Sequence, residues 1–169
     1  MGRSGGPRGG GRAPRAYAGP VSTPRPHVPA RRVALALVTA DPVDVGALAG
    51  AVGGDAAGAV VTFAGVVRDH DGGRGVTGLE YVAHPDAQAV VARVVADVVA
   101  RTEVEAVACV HRVGVLAVGE CALGVAVAAA HRREAFEAAA LLVDEIKAHL
   151  PVWKRQDLAA GGHEWVNSA

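Results

Sequence analysis

Hydrophobic and polar positions follow two rhythms along this chain, one typical of strands and one typical of helices. Continuous apolar runs rich in valine, each bounded by glycine, proline or charge, predict strands at 33–38, 58–68, 76–83, 104–110 and 121–130. Apolar residues at three- and four-residue steps predict helices at 42–52, 85–101 and 131–150.

The order of these elements predicts the fold class. Residues 113–120 add a hairpin-like turn, and the Gly161-Gly162 pair between two extended segments predicts a terminal β-hairpin. Hairpin connections therefore outnumber alternating βαβ units, which favours an α+β fold with a mostly antiparallel sheet over a doubly wound fold. The polar, glycine-rich segment 69–75 is predicted to be a mobile loop of the kind that carries function.

The segment 131–155 combines a helix, a proline stop and a short extended stretch. Pro151 cannot continue the helix. His131 and Arg132 stand at the helix start, where free backbone N–H groups favour an anion. Lys147 lies at the edge of the apolar stripe. The residues predicted to share the buried helix face recur at helical spacing: Phe136, Ala140, Val143, Ile146 and Leu150.

Charge is distributed unevenly along the chain. Seven arginines precede the first acidic residue, Asp41, whereas all seventeen acidic residues and only ten basic ones follow residue 32. Residues 1–32, rich in Gly, Pro and Arg, are predicted to form a disordered arm, and 33–169 a single domain. An acidic folded part argues against a general nucleic-acid surface, so a nucleic-acid-binding hypothesis rests on the arm alone.

The remaining composition bounds the compartment. Cys109 and Cys121 lie in apolar runs, which favours buried, reduced core residues. No apolar run reaches the ~18 residues that a membrane span needs. Arg31-Arg32 and the apolar stretch after them look like a short twin-arginine export signal. Because that stretch is short and Asp41 follows, we expect a first β-strand there and a cytoplasmic protein.

The lysines are informative because they are so few. Of seventeen basic residues only Lys147 and Lys154 are lysine, and both stand beside apolar groups. Arginine is effectively always protonated, whereas a lysine in a dry site can lose its proton and act as a base or nucleophile. The alternative interpretation is an ordinary C-terminal helix with cations near its negative end.

Cations fall at the ends of several predicted elements and could converge on one anion site. No glycine-rich phosphate loop of the GxxxxGK type, CxxC pair or HxxxH pair is present, so we expect no metal and no cofactor. Strands that simply end at charged residues are the alternative interpretation. The four cationic groups are Arg68; His111 and Arg112; His131 and Arg132; and Lys147, Lys154 and Arg155.

Four blocks of sequence carry a resemblance to a known family. They are GAVVTFAGVVRDH, VHRVGVLAVGE, AAAHRREAFEAAALLVDEIKAHLPVWKRQ and HEWV, in this order within about 33–166. The chain resembles the large, catalytic subunit of molybdopterin synthase, the MoaE family. The resemblance implies an α/β-hammerhead fold and a homodimer flanked by two small ubiquitin-like sulfur-carrier subunits of the MoaD type.

The resemblance also implies the reaction and its residues. The carrier's C-terminal Gly-Gly thiocarboxylate would enter a pocket, and two sulfurs would pass to cyclic pyranopterin monophosphate to give the dithiolene of molybdopterin. A large subunit whose sulfur arrives on the carrier needs no cysteine of its own. By motif, Lys147 and Lys154 would be catalytic. The positions implied to bind substrate are Arg68, His131, Arg132 and Arg155.

Two positions depart from the family pattern. Val66 stands where the family often has lysine, and Gln156 where it often has glutamate. Val66 cannot donate a hydrogen bond to a phosphate through its side chain. A non-catalytic anion-binding or partner-docking module on the same fold is therefore the alternative function.

Overall fold

The structure, a computed structural model, describes Met1 and residues 27–167. Nine strands and three helices lie within these residues, and they confirm the predicted α+β class. In chain order they are β1 (Arg32–Thr39), α1 (Val45–Val52), β2 (Ala59–Val66), β3 (His70–Asp71), β4 (Arg74–Ala83), α2 (Ala87–Arg101), β5 (Ala106–Arg112), β6 (Gly114–Ala117), β7 (Cys121–Ala129), α3 (Arg132–His149), β8 (Val152–Leu158) and β9 (His163–Asn167).

The first sheet is a four-stranded layer with helices on both faces. Its strand order is β1-β5-β7-β2, in which β1 and β5 run parallel and the other neighbours run antiparallel. Val107 and Cys109 of β5 face the core formed with α2 and α3, whereas Ala106 and Ala108 face α1. Both faces of β5 and β7 are covered, which explains why these strands are continuous apolar runs rather than alternating ones.

Small residues on β7 let α1 approach closely. A Cβ added to Gly124 would lie 2.5 Å from Val43 Cγ1 and 2.9 Å from Leu48 Cδ1, so only glycine fits there without a shift of these side chains. The core is built from Val, Ala and Leu, as the scarcity of aromatic residues predicts.

The second sheet is antiparallel and holds the site described below. Its strands are ordered β3-β4-β8-β9, and β6 also pairs with β4. The terminal hairpin of β8 and β9 turns through Gly161 and Gly162, both with positive φ, as predicted. The segment predicted to be a loop contains the two-residue strand β3, which pairs back on the start of β4.

The helix ends explain small shifts from the predicted boundaries. Asp44 accepts a hydrogen bond of 3.0 Å from the backbone N–H of Ala47, which starts α1 three residues after Pro42. Helix α2 begins at Ala87 rather than at Pro85, because Asp86 is its N-cap. Helix α3 ends at His149 with Leu150 extended, as a following proline requires.

The buried face of α3 differs from the predicted one in its first half. Ile146 and Leu150 are buried as expected, but Phe136 is 63% exposed and Ala140 is also exposed. The face that packs on the sheet carries alanines that periodicity did not select. The buried residues of the helix are Ala135, Ala138, Ala139, Leu142 and Ile146.

The segment before β1 is described from His27 onward. Ala30 donates its backbone N–H to Glu105 Oε2 at 3.0 Å, and His27 contacts the other oxygen of the same carboxylate. The remainder of the predicted disordered arm, residues 2–26, lies outside the described residues. Arg32 belongs to β1, in agreement with a strand rather than an export signal. No helix in the described part of the chain is long and apolar enough to cross a membrane.

Candidate active site

A cavity of about 480 Å³ opens between the two sheets and the C-terminal end of α3. Its walls combine polar groups with apolar residues such as Phe63 from β2, Leu79 from β4 and Ile146 from α3. Three of the cations singled out from the sequence line it: Arg68, Lys147 and Lys154. A concave wall of mixed character with a few convergent cations is suited to binding an anion.

Three elements deliver these cations. Arg68 follows the end of β2, and its side chain is 65% exposed. Lys147 lies in the last turn of α3 and is exposed in the single chain. Lys154 lies on β8, and its side chain is only 19% exposed. Pro151 lies between the two lysines in sequence. It ends the helix that carries Lys147, and the chain then enters the strand that carries Lys154.

An acidic residue that the sequence did not single out joins two of these cations. Asp71, on β3, accepts a hydrogen bond from Lys154 Nζ to Oδ2 at 3.1 Å and from Arg68 Nη2 to Oδ1 at 2.9 Å. The hydrogen bond from Lys154, and next the lysine charge, hold the pKa of Asp71 below its usual range. Asp71 is therefore an ionised carboxylate at neutral pH, and it occupies part of the cation cluster.

Arg155 lies on the other face of β8. Adjacent residues of a strand point to opposite sides, and it is Lys154 and Gln156 that line the cavity. Arg155 instead pairs with Glu80 at 3.1 Å and stands 3.7 Å from Asp157. Arg155 therefore does not line this cavity, and its substrate contact stays a prediction.

His131 and Arg132 lie at the opposite end of α3 from Lys147. At 1.5 Å per residue the helix separates Arg132 from Lys147 by about 22 Å along its axis. Both residues are exposed, and neither lines the cavity. The four cationic groups named from the sequence do not all converge within one chain. The group of His131 and Arg132 is kept apart from Lys147 by the length of α3.

His111 is in the cavity wall, but not as a cation. It is 6% exposed, and its ring meets that of Tyr81 edge-on with centroids 5.1 Å apart. Burial lowers the pKa of His111 to about 4, so the imidazole is neutral at pH 7. Its Nδ1 is buried and has no hydrogen-bond partner in the described chain. Arg112, beside it in sequence, turns away to pair with Glu120 at 2.9 Å.

The two departures from the family pattern both fall at the cavity. Val66 lines it and is 54% exposed, so its side chain adds no donor to the rim. Gln156 is 2% exposed and donates from Nε2 to Glu164 Oε1 at 3.3 Å. The proximity of the Gln156 amide also contributes to the lowered pKa of Asp71, after the larger effects of Lys154.

Burial disfavours the reactive thiolate form of both cysteines. Cys109 is buried, and burial raises the pKa of its thiol to about 12. Cys121 is half-buried, with a pKa also raised by burial. Within residues 27–167, no group of three His, Cys, Asp or Glu side chains is placed to hold a metal ion.

Comparison with known proteins identifies the family. A model of the family described as MoaE protein matches residues 38–149. The chain belongs to the MoaE family. A curated relative, molybdopterin synthase catalytic subunit 1 of Mycobacterium tuberculosis, is 38% identical over 133 residues, which cover 76% of this chain and 88% of that protein.

Solved structures of the MoaE family agree in fold. Molybdopterin synthase from Staphylococcus aureus superposes with a TM-score of 0.71 at 28% identity, over 78% of this chain and 96% of that one. A Helicobacter pylori complex of subunits 1 and 2 of molybdopterin-converting factor gives a TM-score of 0.58 at 18% identity, over 79% of this chain and 89% of that one, which shows the shared fold. The MoaE match contains Arg68 and Lys147, and Lys154 lies just beyond it.

Proposed function

We propose that this chain is a sulfurtransferase, the catalytic subunit that converts cyclic pyranopterin monophosphate to molybdopterin. Two sulfurs would come from the thiocarboxylated C-terminus of a small ubiquitin-like carrier. The observation that carries the proposal is that the only two lysines of the sequence meet at one cavity of a MoaE fold. The names of the curated relatives support the same reaction.

The cavity suits the proposed chemistry step by step. In each transfer the thiocarboxylate sulfur of the carrier bonds to a substrate carbon, and that carbon gives up a carbon–oxygen bond whose oxygen leaves with a proton. Water then cleaves the carbon–sulfur bond on the carrier's side, which leaves a thiolate on the substrate and a carboxylate on the carrier. We assign Lys154 and Arg68 to hold an anionic group, which is the thiocarboxylate or the substrate phosphate. Lys147, at the mouth, is the residue we assign to proton transfer. Closure of this mouth by the carrier would dry the site and strengthen every charge interaction in it.

The carrier's tail must be narrow to reach these residues. A Gly-Gly end has no side chains and can thread a channel without clashes. We propose a heterotetramer in which two carriers flank a dimer of this chain, located in the cytoplasm. His131 and Arg132 would then belong to the site of the second copy, since their own α3 holds them about 22 Å from Lys147.

The test is an assay of dithiolene formation from the pyranopterin with a thiocarboxylated carrier. Lys147→Ala and Lys147→Arg should both abolish turnover if Lys147 moves a proton. Alanine has no ionisable group, and arginine keeps the positive charge but cannot release its proton. Arg133→Lys is the matched control, since Arg133 is exposed and pairs only with Glu137 on the outer surface of α3. Near wild-type turnover of Lys147→Arg would leave Lys147 a purely electrostatic role.

A non-catalytic anion-binding module remains the second candidate, and Val66 is the observation that favours it. An exposed valine at the rim leaves the cation cluster one donor short of the family pattern. The two functions separate in one experiment, because the module would bind carrier or pyranopterin without forming any dithiolene. Full-length chain that binds thiocarboxylated carrier but yields no dithiolene would decide for the module.

A further inference from the structure

The anion site already contains an anion. The carboxylate of Asp71 uses both oxygens on the cations assigned to substrate, with Oδ2 on Lys154 and Oδ1 on Arg68. A planar carboxylate between an ammonium and a guanidinium has the geometry that a thiocarboxylate or a phosphate would need at the same place. An incoming anion must therefore share these donors with Asp71 or replace it.

The segment that carries Asp71 is a tight hairpin. β3 has two residues and turns into β4 through Gly72 and Gly73, both with positive φ. The β4 side of the hairpin is fixed beside the turn, where Arg74, the residue paired with Asp71, makes two hydrogen bonds to Glu164 of β9. On the β3 side, the side chain of Asp71 makes the contacts to Lys154 and Arg68. The contacts of Asp71 thus tie β3 to the two cations of the cavity.

The free-energy cost of displacing the Asp71 carboxylate from Lys154 and Arg68 by another anion is modest. The Asp71 side chain is 26% exposed, so it returns to water without first crossing an apolar layer. Ion pairs that remain in contact with solvent typically contribute little to stability. The cations, once freed, would face a cavity that the carrier closes. Lys154 is 19% exposed already, so little water would compete for it.

The neutral side chain of Gln156 makes the charge of Asp71 more important for Lys154. The family often has glutamate at this position, which would place a second carboxylate beside Lys154. Here Gln156 is buried and donates a hydrogen bond to Glu164. In this chain, therefore, Asp71 is the carboxylate that contacts Lys154, and the charge of the donor cluster depends on it.

We infer that Asp71 is a positioning residue that holds Lys154 and Arg68 in the substrate-free enzyme and yields them to the incoming anion, so that it sets the affinity of the site for its anionic substrates. This inference rests on the proposed function, because it names how that function's site is kept ready. It predicts that removing the charge of Asp71 strengthens anion binding rather than disabling the site.

The scarcity of lysine allows a test that needs no turnover. Acetic anhydride in trace amounts acetylates free amines, and mass spectrometry then reports Lys154 and Lys147 separately in the full chain. Asp71→Asn should raise the acetylation rate of Lys154 at least threefold, because the ammonium loses the carboxylate that holds it. Lys147 serves as the internal reference, and its acetylation rate should change by less than half. Asp69→Asn is the matched control beside the same hairpin, since the side chain of Asp69 forms its hydrogen bond with the neighbouring His70 and not with Lys154 or Arg68.

Pyrophosphate is the anionic probe for the second arm. It should protect Lys154 from acetylation in both proteins, with half-protection at a concentration at least threefold lower in Asp71→Asn. With thiocarboxylated carrier, the same variant should lower KM and retain kcat within about twofold. Equal Lys154 labelling and equal pyrophosphate protection in wild type and Asp71→Asn would overturn the inference. Absence of dithiolene in every protein would sink the proposed function but leave the labelling result standing.

Circular dichroism and the acetylation rate of Lys147 show whether each variant is folded. Asp71→Ser is a second variant with a neutral side chain, and the same results are expected for it. A loss of kcat in both variants with unchanged Lys154 labelling would mean that Asp71 only supports the hairpin, and it would refute the positioning role.

Discussion

At the scale of single residues, His111 shows how burial changes the meaning of a side chain. In the sequence it counts among the cations that could form an anion site. In the fold it is enclosed by the cavity wall and by the edge-on ring of Tyr81, and its pKa falls to about 4 because the charged form is desolvated. A neutral imidazole in the wall adds no charge to the cavity and leaves the positive charge to Lys147, Lys154 and Arg68.

The pH dependence of stability tests this state of His111. The unfolded chain binds a proton at His111 near pH 6.5 and the folded chain only near pH 4, so unfolding is favoured as pH falls through this window. The free energy of unfolding should drop by about 2 kcal/mol between pH 7.5 and 5.0 from this residue alone. Asp71 and Glu105 have lowered pKa values, so their contributions are lost only at more acidic pH.

Urea unfolding of wild type and His111→Phe at these two pH values is the measurement. Phenylalanine keeps an aromatic ring beside Tyr81 and cannot be protonated, so its variant should lose about 2 kcal/mol less than wild type over the same range. His163→Asn, at an exposed position on β9, should behave like wild type. The same pH loss in His111→Phe would show that another group is responsible.

At the scale of elements, α3 carries the site because its two ends are used differently. Its C-terminal turn brings Lys147 to the cavity, and its middle packs on the first sheet through small residues. Ala138 is fully buried and Ala140, two residues later, is exposed. The two positions have the same side chain in the same helix, which makes them a matched pair.

Enlarging each alanine tests which face of α3 is buried. Ala138→Leu should destabilise the chain by about 1–3 kcal/mol, because added methylenes must displace a packed core. Ala140→Leu should change stability by less than about 0.5 kcal/mol, as exposed substitutions usually do. Thermal and urea unfolding of the two variants measure the difference. If Ala140→Leu were the more damaging, the face predicted from periodicity would be the correct one.

Some elements of the fold could be predicted from the sequence and others could not. Strands β5 and β7 were predictable because valine runs bounded by turns have few other structures available. The buried face of α3 was not predictable, because alanine contributes little to hydrophobic periodicity and because the large apolar residue Phe136 is exposed. Arg155 was assigned to the site with Lys154, although strand alternation alone would have separated neighbours. Asp71 carried no signal, since it lies in a polar turn whose partner, Lys154, is distant in sequence.

At the scale of the whole molecule, the single chain brings together only part of the predicted site. The cavity contains Arg68, Lys147 and Lys154, while His131 and Arg132 stand exposed at the far end of α3. A twofold dimer places equivalent surfaces of two copies against each other, so a residue far from one cavity can reach the other. The predicted substrate-binding role of Arg132 therefore requires that a site be shared between copies.

Mixing two inactive variants tests a shared site. Under the shared arrangement, a mixed dimer of Arg132→Ala and Lys147→Ala chains holds one site with both residues intact and one with neither. Random association makes about half of the dimers mixed, so about one quarter of wild-type activity should return. The measurement is dithiolene formation after the two purified chains are unfolded together and refolded, compared with each variant refolded alone. A site built from one chain would give no recovery at all.

A second mixture removes the remaining ambiguity. The double variant, refolded with an equal amount of wild type, should leave about one quarter of the activity if sites are shared, because every mixed dimer then has two defective sites. It should leave about one half if each chain carries its own complete site, since the wild-type chain of every mixed dimer stays active. Because α3 separates Arg132 from Lys147 by about 22 Å, we expect the lower value. One half of the activity in this mixture, together with no recovery in the first, would remove His131 and Arg132 from the second copy's site.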